Sequence, residues 1–293
     1  MAKNILITGA NGQLGNELRK TLNGNSLFNT FYTDVKELDI TCSEAINEYL
    51  RKNCIEIIVN CAAYTAVDLA EDNADACRTI NTTAVENIAK AAKANGAKVI
   101  HISTDYVFDG KNNIPYTEKD QTNPQTVYGK TKAEGESSLI SIIPNDCIII
   151  RTAWLYSAYG KNFVKTMLEL GRTRDRLNVV CDQIGTPTYA ADLASAICSI
   201  ISCQEWVPGI YHFSNEGVCS WYDFTKAIHR IAGIQGCKVM PVATAEYPTK
   251  AQRPSYSVLD KSKIKTTFKL EIPHWQESLE RCIEYINELN RNI

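Results

Sequence analysis

Tyr128 and Lys132 stand four residues apart in YGKTK, and Thr104 lies 24 residues upstream in HISTDYVFDG. A helix turns about 100° per residue, so positions four apart fall within roughly 40° of each other on one face. The Lys, Ala and Glu content of YGKTKAEGESSL favours a helix, which would point Tyr128 and Lys132 the same way. An ammonium beside a phenol stabilises the phenolate and is expected to lower its pKa from about 10 toward neutrality. Such a tyrosine can protonate a carbonyl oxygen as hydride reaches the carbon. This is ketone reductase chemistry, with Thr104, Tyr128 and Lys132 as its candidate catalytic residues.

A hydride needs a carrier, and the chain opens with a matching grip. The strand-like NILITG runs into Gly9-Ala-Asn-Gly12-Gln-Leu-Gly15, a G-x-x-G-x-x-G spacing. The glycines allow a tight turn and close backbone approach, and a helix opening at Gln13 and Leu14 offers unpaired N–H groups to a pyrophosphate. A carboxylate about 20 residues further on would bond the adenosine ribose 2′-OH and disfavour a 2′-phosphate. Asp34, 19 residues past Gly15, fits. No Arg adjoins it, although Lys36 is close, so NADH with tolerance of NADPH is expected. Asp39 and Ile40 could flank the adenine, and Cys61-Ala62-Ala63 is small enough to lie against the cofactor.

Each motif alone has a bland reading. A Tyr-x-x-x-Lys occurs by chance on many half-exposed helix faces, a glycine motif is often only a turn, and Asp34 could simply start one. A Thr at a strand end is more often a ladder residue than a catalyst. Order and context move the odds: strand, glycine turn and helix, then a strand ending in Ser-Thr-Asp, then a helix with Tyr and Lys.

The elements that must position these residues alternate. Strand-like runs at Asn4–Thr8, Ile55–Cys61, Lys98–Ser103 and Cys147–Arg151 are separated by helical patterns at Leu14–Leu22, Cys42–Asn53 and Ala84–Asn95 and by the YGKTK helix. Near-continuous apolar strands separated by helices imply an α/β fold, a Rossmann-type doubly wound parallel sheet covered on both faces. This pattern fills residues 1–155. Residues 156–293 read mainly as a smaller, interleaved substrate-binding lobe, with a strand near 210–213 expected to return to the sheet. Helices are expected at Asn162–Gly171, Tyr222–Ala232 and Trp275–Arg291, a basic turn at Arg172–Arg176, and a loop at Tyr247–Ser255.

The composition, with 293 residues, 44% hydrophobic, 22% charged and net charge −2, is that of an ordinary globular protein. It gives no electrostatic reason to expect nucleic acid or a membrane surface as partner. Without an apolar run of spanning length or a basic leader, a cytoplasmic protein is expected. The eleven cysteines include no C-x-x-C and read as reduced; Cys54, Cys61, Cys147 and Cys181 sit in apolar runs as small hydrophobes. His101 and His212, alternating with apolar residues, read as core histidines.

With these motifs in view the chain resembles the dTDP-4-dehydrorhamnose reductases of the extended short-chain dehydrogenase/reductase superfamily. The likeness spans nearly the whole length, through GANGQLG, VNCAAYTAVDLAE, HISTDYVFDG, the IPYTE-to-YGKTK run, RTAWLY, DQIGTPT and QRPSYSVLD. It implies reduction of the 4-keto group of dTDP-4-dehydro-L-rhamnose, a nucleotide-sugar, to dTDP-L-rhamnose for surface polysaccharide. It also implies that Asn11, Gly12, Gln13, Asp34, Asp39, Ile40 and Ala62–Thr65 line the cofactor, while Thr104, Asp105 and Trp154 face the sugar nucleotide. Arg253 is a diphosphate partner by its planar fork, or else a surface cation. Some relatives form dimers around Mg²⁺ held by glutamates. The corresponding segments here read Ala190-Ala191-Asp192 and Asn290-Arg291-Asn292-Ile293, so no metal is carried over and a homodimer stays open.

Two other readings compete. A nucleotide-sugar epimerase or dehydratase would retain its NAD, but a dehydratase is expected to carry Asp-Glu after the Thr, where this chain has Asp105-Tyr106. A non-catalytic NADP-binding regulatory subunit would be expected to lose the Tyr or Lys, and both are present.

Overall fold

The computed structural model describes residues 2–291. Its strands are β1 (Lys3–Thr8), β2 (Phe28–Thr33), β3 (Ile57–Asn60), β4 (Lys98–Thr104), β5 (Cys147–Thr152), β6 (Arg176–Val180), β7 (Gly209–His212) and β8 (Lys238–Val242), besides pairs of two residues. The longer helices are α1 (Gln13–Leu22), α2 (Ser43–Lys52), α3 (Ala84–Asn95), α4 (Val127–Ile142), α5 (Phe163–Thr173), α6 (Ala190–Ser202), α7 (Trp221–Ile231), α8 (Ser262–Phe268) and α9 (Trp275–Arg291).

Six strands form one sheet in the order β7-β5-β4-β3-β1-β2, every neighbouring pair parallel. Strand order reverses between β1 and β3, the switch point at which doubly wound sheets hold ligands beyond their strand ends. One sheet face carries Ile5, Ile7, Val59, Ile100 and Ile150 against α1 and α6. The other carries Leu6, Ile58, Val99 and Ile149 against α2, α3 and α4. Alternate residues thus enter two cores, which is why these strands read as unbroken apolar runs. Gly96 closes α3 in the left-handed region at φ +68°.

The C-terminal half sends back more than one strand. β7 pairs with β5, and α6 and the α8 residues Ile264 and Phe268 join the core on the α1 face. A separate core gathers α5, α7 and α9 around Phe224, Trp275 and Leu279, beside the parallel pair β6–β8. The basic turn is shorter than expected, because α5 runs to Thr173 and Arg176 begins β6. β8 went unread because Pro241 interrupts it; as an edge strand of a two-stranded pair it tolerates the missing donor. Cys54 is not the expected core thiol: it is exposed, at φ +49°, in the turn before β3. No disulfide joins the cysteines. No helix among the described residues is long and apolar enough to cross a membrane.

Candidate active site

The glycine turn lies at the end of β1. Gly9 takes φ +62°, and a Cβ there would lie 2.7 Å from the Ala62 nitrogen, so the residue must be glycine on both counts. A Cβ on Gly15 would sit 2.5 Å from the Ala10 Cα, so this glycine lets α1 press onto the turn. Asn16 Nδ2 donates to the carbonyls of Asn11 (3.0 Å) and Gly12 (2.8 Å), fastening the loop. Gly12 caps α1 without a side-chain bond, and the first turn of α1 contains no acid. The positive helix end therefore faces the switch point with its N–H groups uncapped by the chain and no carboxylate in its own first turn to repel a phosphate. These residues fit a dinucleotide's pyrophosphate.

Asp34, just beyond β2, accepts the Asn11 N–H (3.1 Å) and the Val35 N–H (2.9 Å). It does start a turn, its carbonyl accepting from Glu37 and Leu38, but its carboxylate reaches across to the glycine loop. Ala62 and Ala63 are half-buried and Thr65 exposed beyond β3. Leu14 and Ile40 send their side chains into the two cores, leaving only backbone for a ligand. Asp39 is exposed and turned onto Thr41, whose N–H (2.9 Å) and hydroxyl (2.7 Å) it accepts. Gln13 Oε1 accepts from Asn162 Nδ2 (2.9 Å), tying the start of α1 to the start of α5.

Thr104 ends β4, buried; its hydroxyl donates to Asp105 Oδ1 (3.0 Å) and accepts the Tyr106 N–H (3.2 Å). Tyr128 stands on the first turn of α4, edge-on to Tyr106 with ring centroids 5.6 Å apart. A Cβ on Gly129 would collide with the Tyr106 carbonyl oxygen, so this glycine lets α4 begin against the end of β4. Further along α4, Glu136 takes a two-pronged bond from Arg151 of β5 (2.6–3.2 Å), both side chains buried. Lys132, 1% exposed, donates to the Ile102 carbonyl (2.6 Å) and lies 3.1 Å from His101 Nε2.

The expected depression of the Tyr128 phenol is corrected by this geometry. Burial drives the phenol well above the ordinary tyrosine value, and the Thr104 hydroxyl offsets only part of that. Lys132 directs its nitrogen to Ile102 and His101, and burial lowers its own pKa to about 8. Burial likewise raises Asp105 to about 6, and its Oδ2 has no hydrogen-bond partner.

Beside the trio opens a cavity of about 590 Å³. Trp154 and Arg253 line it; Thr104 and Asp105 are buried at the strand end next to Tyr106, which also lines it. Trp154 stacks on Trp221 at 3.5 Å with φ +48°, and Gly185 makes room for its ring. Arg253 is no free surface cation: it pairs with Asp68 and donates to the Tyr106 hydroxyl (2.9 Å). Several residues that shape the site escaped the sequence reading. Trp221, Tyr106, Asp68 and Gln183 line the cavity. Asn81, in a π-helical turn, grips Tyr64 through its N–H (2.9 Å) and carbonyl (3.1 Å). The bulge of a π-turn is a common mark of such sites, but nothing in its TINTT sequence signals one. Asp192 is engaged by Arg281 (2.6 Å), Ser278 (2.5 Å) and Asn215 (2.7 Å). Asn292 and Ile293 lie outside the described residues.

A doubly wound sheet with a glycine turn at its switch point and a Tyr-x-x-x-Lys helix beside it makes this protein a short-chain dehydrogenase/reductase. Residues 3–288 match the family model described as the RmlD substrate binding domain. The chain is 43% identical to the dTDP-4-dehydrorhamnose reductase of Aggregatibacter actinomycetemcomitans, over 96% of this chain and 98% of that protein. Its fold superposes on a dTDP-4-dehydrorhamnose reductase crystal structure from Clostridium acetobutylicum (46% identity, TM-score 0.92, 97% and 99% of the two chains). It is also similar to the Bacillus anthracis dTDP-4-dehydrorhamnose reductase solved in complex with NADP (41%, TM-score 0.93, 97% and 100%). The chain belongs to the dTDP-4-dehydrorhamnose reductase family.

Proposed function

We propose that this protein reduces the 4-keto group of dTDP-4-dehydro-L-rhamnose to give dTDP-L-rhamnose, using NADH or NADPH. The observation that carries this reading is the meeting of the β4 end and the α4 start, where Thr104, Tyr128 and Lys132 gather next to Tyr106, which lines the Trp154–Arg253 cavity. The dinucleotide supplies hydride when bound; Gln13, Leu14 and Gly15 at the opening of α1 would offer their uncapped backbone N–H groups to its pyrophosphate, Gly9, Asn11 and Gly12 shape the turn beside it, and Asp34 takes the ribose end.

Tyr128 donates the proton to the carbonyl oxygen. Its raised pKa keeps the phenol protonated at neutral pH, the form an acid needs before transfer. Thr104 orients that oxygen by turning its one hydroxyl proton to it from Asp105 Oδ1. Trp154, stacked on Trp221, offers a flat apolar wall to the nucleotide-sugar. Arg253 exchanges part of its bond to Asp68 for a diphosphate oxygen, a ligand its planar fork suits.

The test is NAD(P)H oxidation by purified protein with dTDP-4-dehydro-L-rhamnose, run beside its UDP and GDP counterparts, with identification of the product. Oxidation that requires the 4-keto sugar and yields dTDP-L-rhamnose is expected. Protein that carries tightly held NAD⁺ and interconverts sugars without consuming added NAD(P)H would make it an epimerase. Absence of turnover with tight NADP binding would point to a regulatory subunit.

A further inference from the structure

One buried polar row serves neither the proton transfer nor the cavity directly. Thr8 of β1, Asn60 of β3 and His101 of β4 are register partners on three adjacent strands, so their side chains line up on the α4 face of the sheet. All three are at most 2% exposed; Thr8 and Asn60 end β1 and β3, and His101 lies inside β4, three residues before its end. The row ends on Lys132: Thr8 Oγ1 donates to Asn60 Oδ1 (2.7 Å), Asn60 Nδ2 meets His101 Nδ1 (3.0 Å), and His101 Nε2 meets Lys132 Nζ (3.1 Å).

Hydrogen-bond chemistry orients each member. The Ala62 N–H also points at Asn60 Oδ1 (3.2 Å), and an N–H can only donate. The amide oxygen must therefore face Ala62, which leaves the amide NH₂ against His101 Nδ1. An NH₂ is likewise only a donor, so Nδ1 accepts and a neutral imidazole carries its proton on Nε2. That proton faces Lys132 Nζ. An ammonium has no lone pair to receive it, whereas an uncharged amine does and can still donate to the Ile102 carbonyl.

We infer that His101 is a positioning residue for Lys132: the Thr8–Asn60–His101 row holds the Nε2–H tautomer, which clamps Nζ and selects its uncharged amine. The titratable groups around the amine agree with this assignment. Burial holds His101 well below the ordinary histidine value, with the Lys132 charge acting the same way, so the ring is neutral across the working pH range. Burial pushes the Cys61 thiol up to about 12, keeping it uncharged. Glu136 and Cys77 pull Lys132 toward its charged form, but the Glu136 carboxylate is already bonded to Arg151, and the Cys77 thiol lies against Thr131 (3.2 Å). Lys132 therefore changes charge near pH 8 rather than near the ordinary lysine value of about 10.4. The role of Lys132 in turnover rests on the reductase reading; its titration does not.

The experiment is heteronuclear NMR on the full chain labelled with ¹³C-lysine and ¹⁵N-histidine, without substrate or cofactor, with Lys132 assigned by loss of its signal in Lys132→Met. The expected results are ring shifts of the Nε2–H tautomer for His101 and a Lys132 midpoint near 8. In His101→Gln the amide can turn its oxygen to an ammonium, so the midpoint should rise by about one pH unit or more. The same variant should move the corresponding limb of the kcat profile upward with little change in the sugar-nucleotide KM. An Nδ1–H tautomer in the wild type, an ordinary lysine midpoint, or a midpoint unmoved by His101→Gln would each overturn the assignment; the first two need no folded variant. A wild type that titrates as described yet reduces no 4-keto sugar would sink the reductase reading and leave this one standing.

Discussion

Replacing Asp105 with asparagine should make the protein more stable at neutral pH, and the gain can be worked out from the site. The carboxyl is 4% exposed, its Oδ2 has no hydrogen-bond partner, and burial raises its pKa from 3.8 to about 6. A group whose folded pKa is raised binds its proton more tightly in the native state. Its stabilising contribution is complete below the unfolded value near 4 and is lost as pH rises through about 6. A gap of about two pH units corresponds to about 3 kcal/mol at 1.36 kcal/mol per unit. Asparagine keeps an oxygen for the Thr104 hydroxyl and offers an NH₂ where Oδ2 stands, toward the Ser257 hydroxyl, whose contact now offsets part of the cost of burying the charge. Urea unfolding of wild type and Asp105→Asn from about pH 4 to pH 8 is the assay. The two proteins should be of similar stability near pH 4. The variant should lead by an amount that grows through pH 6 and levels off at about 3 kcal/mol. Turnover should fall as stability rises, the usual trade at a working site. A stability difference that is flat with pH would refute the claim that burial of an ionised Asp105 strains the folded state.

Tyr128→Phe removes only the phenol oxygen, so it should keep the fold and cofactor affinity while losing about 10²–10⁴-fold in kcat; near wild-type reduction would remove Tyr128 as the acid. Asp34→Ala deletes both the charge that would face a 2′-phosphate and the acceptor for the Asn11 N–H. Binding of both cofactors should weaken, NADH more than NADPH, moving the kcat/KM ratio toward NADPH by roughly tenfold; an unmoved ratio would take Asp34 away from the ribose. Gly15→Ala drives a methyl to 2.5 Å from the Ala10 Cα, whereas Gly12→Ala meets only the Gly9 oxygen at 3.2 Å. Thermal melts should show Gly15→Ala costing about 1–3 kcal/mol and losing the stabilisation that added NADP(H) gives, with Gly12→Ala much closer to wild type in stability.

Much of this protein could be read along the chain because the responsible physics is local. Side-chain alternation, helix periodicity and glycine conformation act within a few residues, so the strands and helices of the first half, the glycine turn and the shared face of Tyr128 and Lys132 were legible. The resemblance carried by HISTDYVFDG, YGKTK and RTAWLY named the family. What stayed hidden was set by partners far away in sequence. The packing of α6 and α8 onto the sheet depends on contacts across the fold, although the returning strand β7 was legible, and the Trp154–Trp221 stack joins residues 67 positions apart. Lys132 looked like a charge partner for Tyr128 because helical spacing places them on one face, but only the buried fold brings His101 and the Ile102 carbonyl to its nitrogen. Depth of burial and the donor or acceptor that arrives from another strand belong to no sequence window. They decide the protonation states at this site, so the pKa values of Tyr128, Lys132 and Asp105 were decided by tertiary structure alone.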